Sequence, residues 1–270
     1  MWTAVVGAIA VVVLVGLLML LVRAVEPHFA FFPAPGEDVT PLDFGQRFDP
    51  LTVETADGER LHAWHLSADS PRASVVYFHG NGGNLSVWAP ILASLPRRGY
   101  SVLAVDYRGY GLSTGHPSER GLYRDVDAVL ERAWRDRDHR LPIVYWGRSL
   151  GSTMAAYAAS MKPPDRIILE SGFPDVRSVV RSSPLLVLLT PFSSYRFPTA
   201  TLMRGVRAPV LVMHGDRDSV IPFGLGRTLF ERLDGPKRFV TIAGTDHNDA
   251  APHDPDAYWS AIDQFIGRGP

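Results

Sequence analysis

A chain of 270 residues with 46% hydrophobic and 20% charged side chains is long enough to bury a sizeable core, and nothing in its composition points to disorder. Its formal net charge of −1, with Lys and Arg scattered beside Asp and Glu, supplies no clustered basic face of the kind that nucleic acid requires. The absence of cysteine removes disulfides, thiolate metal sites and a cysteine nucleophile together.

The chain opens on an apolar run. Trp2 to Val22 carry no charge, and the stretch exceeds the roughly 20 apolar residues that cross a bilayer core. A cleaved signal peptide is the competing reading. Against it, no Lys or Arg precedes the run, the run outlasts the usual apolar region, and no clear A-x-A site follows. Residues 1–23 therefore read as a single-pass membrane anchor. Arg23 gives only a single basic charge toward holding the following chain in the cytoplasm. Residues 24–50, rich in Pro, Phe and Gly, read as a connector with little regular structure.

From Leu51 onward apolar runs alternate with amphipathic stretches. The pattern predicts strands at Leu51–Thr55, Arg60–Leu66, Ser74–Phe78, Ser101–Asp106, Ile143–Trp146, Arg166–Leu169, Pro209–Met213 and Arg238–Ile242. Several are continuous apolar runs, as expected of strands buried on both faces of a parallel sheet. Between them the spacing predicts helices over Leu85–Arg98, Ser118–Arg137, Leu150–Ser160, Gly224–Leu233 and Pro255–Ile266. In Ser118–Arg137, Leu122, Val126, Val129, Leu130, Ala133 and Trp134 fall on one stripe. The alternation predicts an α/β fold with a mostly parallel central sheet flanked by helices. Its two N-terminal strands are close enough in sequence to form an antiparallel hairpin at the edge. Residues 51–270 form one expected domain, with a lid insertion over about 172–208.

The chemistry concentrates in four segments that each follow a predicted strand. Gly147-Arg148-Ser149-Leu150-Gly151 sits between a strand and a small-residue helix, the setting in which G-x-S-x-G forms a nucleophile elbow. Serine is a poor nucleophile at neutral pH, so it needs an imidazole base and a carboxylate that holds the ring in the useful tautomer. His214-Gly215-Asp216-Arg217-Asp218 and Gly244-Thr245-Asp246-His247 supply an acid and then a histidine at the same sheet edge. That chain order, serine, acid, histidine, is the one expected when an elbow carries the nucleophile. Asp216 and Asp218 both lie on the acid loop, and Glu170 ends a neighbouring strand. His79-Gly80-Asn81-Gly82-Gly83-Asn84 lacks the ending of a phosphate loop. It can instead aim a backbone N–H, from Asn81 or alternatively Gly82, at a developing oxyanion. The N–H of Leu150 would be the second donor.

The segments HGNGGN, DYRGYGLS, GRSLG and HGDRDSVIP resemble those of the α/β-hydrolase superfamily, and within it the Bem46-like branch, which includes membrane-anchored hydrolases. The resemblance spans roughly residues 50 to 268. It implies a serine hydrolase of esters, thioesters or amides that works without cofactor or metal, with Ser149, Asp218 and His247 as the triad. Ser152 departs from the branch, which usually has a further glycine there.

Other residues have plainer readings. His79 and His214, in H-G turns after strands, are expected to satisfy buried backbone groups. Asp106, Tyr107 and Arg108 are expected to brace their loop, with Tyr107 a candidate neighbour of the oxyanion site. His253 and Asp254 near Asp249 match no familiar metal-ligand spacing. The run Pro184 to Phe192 either packs against the body, or lines an acyl pocket or touches the bilayer. The anchor and the apolar lid together suit a lipid-like acyl substrate.

Overall fold

The structure is a computed structural model that describes residues 2–182, 194–249 and 252–267. Its first element, α1 (Trp2–Ala30), holds the apolar run. Among the described residues it is the one helix long and apolar enough to cross a bilayer. Its span Val5–His28 has a mean hydropathy of 3.2, and none of its most apolar window is buried in the body of the protein.

The helix runs further than the sequence pattern implies, so the first seven residues of the expected connector, 24–30, are helical. Pro27 removes one ladder bond but does not end the helix, because tertiary contacts hold the last turn. The Glu26 carboxylate accepts from the Ser194 N–H at 2.9 Å. Buried Phe31 meets the rings of Tyr195 and Phe197 at 5.2 and 6.1 Å between centroids. The rest of the connector is also engaged. In β1 (Phe32–Pro33) it pairs in parallel with β5 (Gly82–Gly83), and Pro35 bridges to Gly111.

The main sheet contains β2 (Asp49–Glu54), β3 (Arg60–Leu66), β4 (Ala73–Phe78), β6 (Tyr100–Val105), β7 (Ile143–Arg148), β8 (Arg166–Glu170), β9 (Val210–Gly215) and β10 (Lys237–Ile242). It has eight strands in the order β10-β9-β8-β7-β4-β6-β3-β2. All neighbours are parallel except where β3 meets β2 and β6. This is the predicted mostly parallel sheet, with the predicted hairpin at one edge. The helices α2 (Leu85–Ser94), α3 (Glu119–Asp136), α4 (Leu150–Met161), α7 (Phe223–Glu231) and α8 (Pro255–Gly267) flank it. The central strands β4, β7 and β8 are almost wholly buried, because helices cover both faces and leave no polar side. The α2 helix stops earlier than its spacing suggests. Leu95 keeps helical dihedrals, but Pro96 after it has no N–H with which to continue the α-helical ladder. A short 3₁₀ turn, Pro96–Arg98, continues the chain.

The expected lid is described at its flanks, α5 (Val176–Ser182) and α6 (Thr199–Leu202). The apolar run Pro184 to Phe192 lies outside the described residues.

Strand order positions the site. From β4 the chain moves through α2 to β6 on one side, then crosses through α3 to β7 on the other. A crevice therefore opens at the carboxyl ends of β4 and β7, where open α/β sheets bind ligands. Phe78 of β4 is in register with Gly147 of β7, so the glycine-rich loop and the Ser149 turn leave the sheet at the same level.

Candidate active site

Ser149 stands between β7 and α4 with φ 54° and ψ −118°, a left-handed conformation that costs a non-glycine residue of order 1–3 kcal/mol. The surrounding fold enforces it. The Ser149 N–H donates to Glu170 O at 2.8 Å, tying the turn to β8. A Cβ on Gly147 would lie 2.0 Å from Gly151 O, and one on Gly151 would lie 1.9 Å from Phe78 O. Both glycines of the motif are thus required by close backbone approach. Ser152 fits the position where glycine was expected, buried, with its Oγ donating to Ser149 O at 2.6 Å.

The fold brings three of the predicted side chains into a line. His247 Nε2 lies 3.0 Å from Ser149 Oγ, and His247 Nδ1 lies 2.7 Å from Asp218 Oδ2. The other oxygen of Asp218 accepts from the backbone N–H groups of Val220 and Ile221 at 3.0 and 2.7 Å. His214, fully buried, approaches Asp218 Oδ2 at 3.3 Å and Ile221 O at 2.8 Å. Burial works against a charge on Asp218. The hydrogen bonds from His214 and His247, together with the backbone N–H of Ile221, outweigh it and hold the carboxyl well below the usual carboxylate range.

The rival acids are occupied elsewhere. Glu170 is buried and accepts from Trp146 Nε1 at 3.0 Å, from Tyr258 OH at 3.1 Å and from Arg148 Nη1 at 3.0 Å. Asp216 accepts from Gly244 N, and Asp246 from Ser219 N and Oγ. His253 and Asp249 form a largely exposed pair at 3.4 Å.

The glycine-rich loop passes directly beside Ser149. A Cβ on Gly80 would lie 3.6 Å from Ser149 Cβ and 3.0 Å from the Trp88 ring. The Asn81 side chain is held at both ends, donating to Ala30 O at 2.8 Å and accepting from Tyr110 OH at 2.8 Å. Gly82, the alternative donor, lies in the short strand paired with Phe32. Leu150 is the first residue of α4, where a helix leaves its N–H groups without intrahelical partners. Tyr107 is fully buried behind the loop and donates to His79 O at 3.0 Å. It braces the loop, as does Asp106, which accepts from Leu85 N at 2.9 Å. Arg108 is fixed by Asp125 at 2.8 Å and Asp57 at 2.9 Å.

Two bracing groups escape a reading by residue type. One is Tyr110, whose hydroxyl reaches Asn81. The other is Arg148, which lies between Gly147 and Ser149 and whose Nη2 donates to His247 O at 2.9 Å. Only the position of Arg148 beside the serine marked it in the sequence.

Known proteins agree with this architecture. The family described as Serine aminopeptidase, S33, matches residues 69–206. An uncharacterized protein of Mycobacterium tuberculosis is 33% identical over 96% of this chain and 93% of its own. An uncharacterized membrane protein of Saccharomyces cerevisiae is 32% identical over 84% and 82% respectively. The mouse lysophosphatidylserine lipase ABHD12 is 32% identical over 74% of this chain, which spans 55% of that relative. Among solved structures, the Pyrococcus furiosus esterase Pf2001 superposes with a TM-score of 0.73 at 19% identity, over 88% of this chain and 97% of its own. The chain is a hydrolase of the α/β-hydrolase superfamily, in the family described as Serine aminopeptidase, S33.

Proposed function

We propose that this protein is a serine hydrolase that cleaves a carboxylic ester or thioester of a lipid-like acyl chain through an acyl-enzyme intermediate. The observation that carries the reading is the pair of contacts on His247: 3.0 Å to Ser149 Oγ and 2.7 Å to Asp218. His247 removes the Ser149 proton as Oγ attacks the carbonyl carbon, and Asp218 fixes the ring and stabilises the imidazolium. The N–H groups of Asn81 and Leu150 receive the charge on the tetrahedral oxyanion. As the intermediate collapses, His247 gives its proton to the departing alcohol or thiol. Water then attacks the acyl carbon while His247 takes its proton; as the bond to Ser149 Oγ breaks, His247 returns that proton to the serine and the acid is released.

The lipid-like substrate class is supported by the apolar helix α1, which we read as a single-pass anchor, and by the activity in the name of ABHD12; the name of the Pf2001 esterase supports the ester. The name of the matched family keeps an amide substrate as a second reading. The two separate on kcat/KM for a nitrophenyl ester and a nitroanilide of the same acyl group.

The direct test is fluorophosphonate labelling of the full-length protein. Wild type should be modified at Ser149, and Ser149→Ala should lose both labelling and ester turnover. Labelling that persists at another serine would end the assignment.

A further inference from the structure

The acid and base loops are cross-linked to each other. Gly244 N donates to Asp216 Oδ1 at 2.7 Å, Arg217 N to Thr245 O at 3.3 Å, and Ser219 N and Oγ to Asp246 at 2.7 and 2.9 Å. These bonds fix the distance from Asp218 to His247. They do nothing to fix the distance from His247 to Ser149, because the serine belongs to a different turn between different elements. Among the hydrogen bonds of the described residues, one link besides the Ser149–His247 contact joins that turn to the base loop. It is Arg148 Nη2 to His247 O, 2.9 Å.

Arg148 is built to hold that link. Its side chain is about one-tenth exposed, and its other nitrogen pairs with Glu170, itself buried, at 3.0 Å. The guanidinium stands over the Trp88 ring, 5.0 Å from its centroid. That ring in turn packs closely on the glycine-rich loop, 3.0 Å from where a Cβ at Gly80 would lie. A planar fork with donors in two directions can satisfy a carboxylate and a carbonyl at once, which a lysine ammonium on a flexible stem does poorly.

We infer that Arg148 is a positioning residue that registers the acid–base unit onto the nucleophile, with Glu170 as the counterion that aims it. The inference rests on the serine-hydrolase reading above. It assigns the Arg148–Glu170 pair a role in the acylation rate separate from its contribution to folding.

The test uses the full-length chain, a soluble ester and the rate of fluorophosphonate labelling. Arg148→Met should lower kcat by about 10²-fold, the scale expected when a reacting pair is misplaced by about an ångström. KM should hold within about twofold, because the substrate contacts remain. Arg148→Met also strands a buried carboxylate, so its melting temperature should fall. Adding Glu170→Gln removes that charge; the double variant should regain melting temperature while kcat stays low. Guanidinium ion added to Arg148→Ala should restore part of the lost kcat. If kcat returns to wild type in the double variant, or guanidinium restores nothing, Arg148 is purely structural and the inference is overturned. A wild-type protein that fluorophosphonate does not label would instead remove the underlying reading. A labelled wild type matched in rate by the double variant removes this inference alone.

Discussion

The two halves of the candidate site are held in different ways. On the side of β9 and β10, Asp218 and His247 sit on loops fastened to each other by bonds between nearby groups of the same half. On the side of β4, Asn81 is fastened to a carbonyl 51 residues earlier in the chain, at Ala30, the last residue of α1. The same segment after α1 continues along the glycine-rich loop. Phe32 and Pro33 pair with Gly82 and Gly83, Ala34 N donates to Gly83 O at 2.9 Å, and Asn84 donates to Ala34 O and Gly36 O. The half that holds Asp218 and His247 is therefore fastened within itself, whereas the half that holds the glycine-rich loop is fastened to chain that the apolar helix delivers to it. The segment read as a connector is part of the architecture of the site.

The largest effect should come from the self-contained half. Asp218→Asn leaves a group of the same shape but favours the wrong histidine tautomer, so kcat should drop by about 10⁴-fold. The fold should survive, since the carbonyl of asparagine can still accept from Val220 and Ile221. If this variant is near wild type, Asp218 is not the orienting acid, and Glu170→Gln becomes the next variant to assay.

The dependent half should respond to cuts in the chain far from Ser149. A protein beginning at Glu26 keeps Ala30 and the Phe32–Gly82 pairing, and should turn over a soluble ester at the full-length rate. One beginning at Glu37 loses both. Its kcat should fall by about 10²-fold, the cost of an oxyanion donor out of place, with KM little changed. Equal kcat for the two proteins would show that the loop holds its geometry unaided, and the contrast between the halves would be lost.

How much of this was legible in the sequence follows the same division. Ser149, Asp218 and His247 carry distinctive chemistry, each follows a strand that an apolar run betrays, and their side chains do meet in the fold. The sheet was legible for the same reason: buried strands such as Val210–Gly215 have no polar side to hide. The brace on Asn81 was not, because its acceptor is a main-chain carbonyl, and every residue has one. Pro27 and the prolines, glycines and phenylalanines after it matched a loose linker by composition. Local propensity could not show that Phe31 is buried against Tyr195 and Phe197. Arg148 was read only as the variable residue between Gly147 and Ser149, since its two partners come from β8 and the loop after β10.

A smaller effect sharpens the account of Asn81. Tyr110→Phe removes one of its two side-chain bonds and leaves the Ala30 bond intact. A hydrogen bond of this kind is worth about 1 kcal/mol net, or about fivefold in rate if all of it serves to hold the loop. The loss should appear in kcat. A larger loss than the one caused by starting the chain at Glu37 would make Tyr110, rather than the segment after α1, the principal brace.

The smallest effect lies in the pH dependence of stability, and it tests whether the acid loop is as self-contained as its bonds imply. In the folded protein the Asp218 carboxyl is held well below the usual range: burial opposes its charge, but the bonds from His214 and His247 and the Ile221 N–H outweigh the burial. A carboxyl whose folded value is depressed contributes stability above its unfolded value of about 3.9, and loses that stability as the pH falls toward the folded value. The melting temperature of wild type minus that of Asp218→Asn should therefore be positive at a pH of about 5, and should shrink steadily as the pH drops to about 2. A difference that stays constant over this window would mean that Asp218 gains no net stability from its partners. The loop would then owe its shape to the Ser219–Asp246 and Gly244–Asp216 bonds alone.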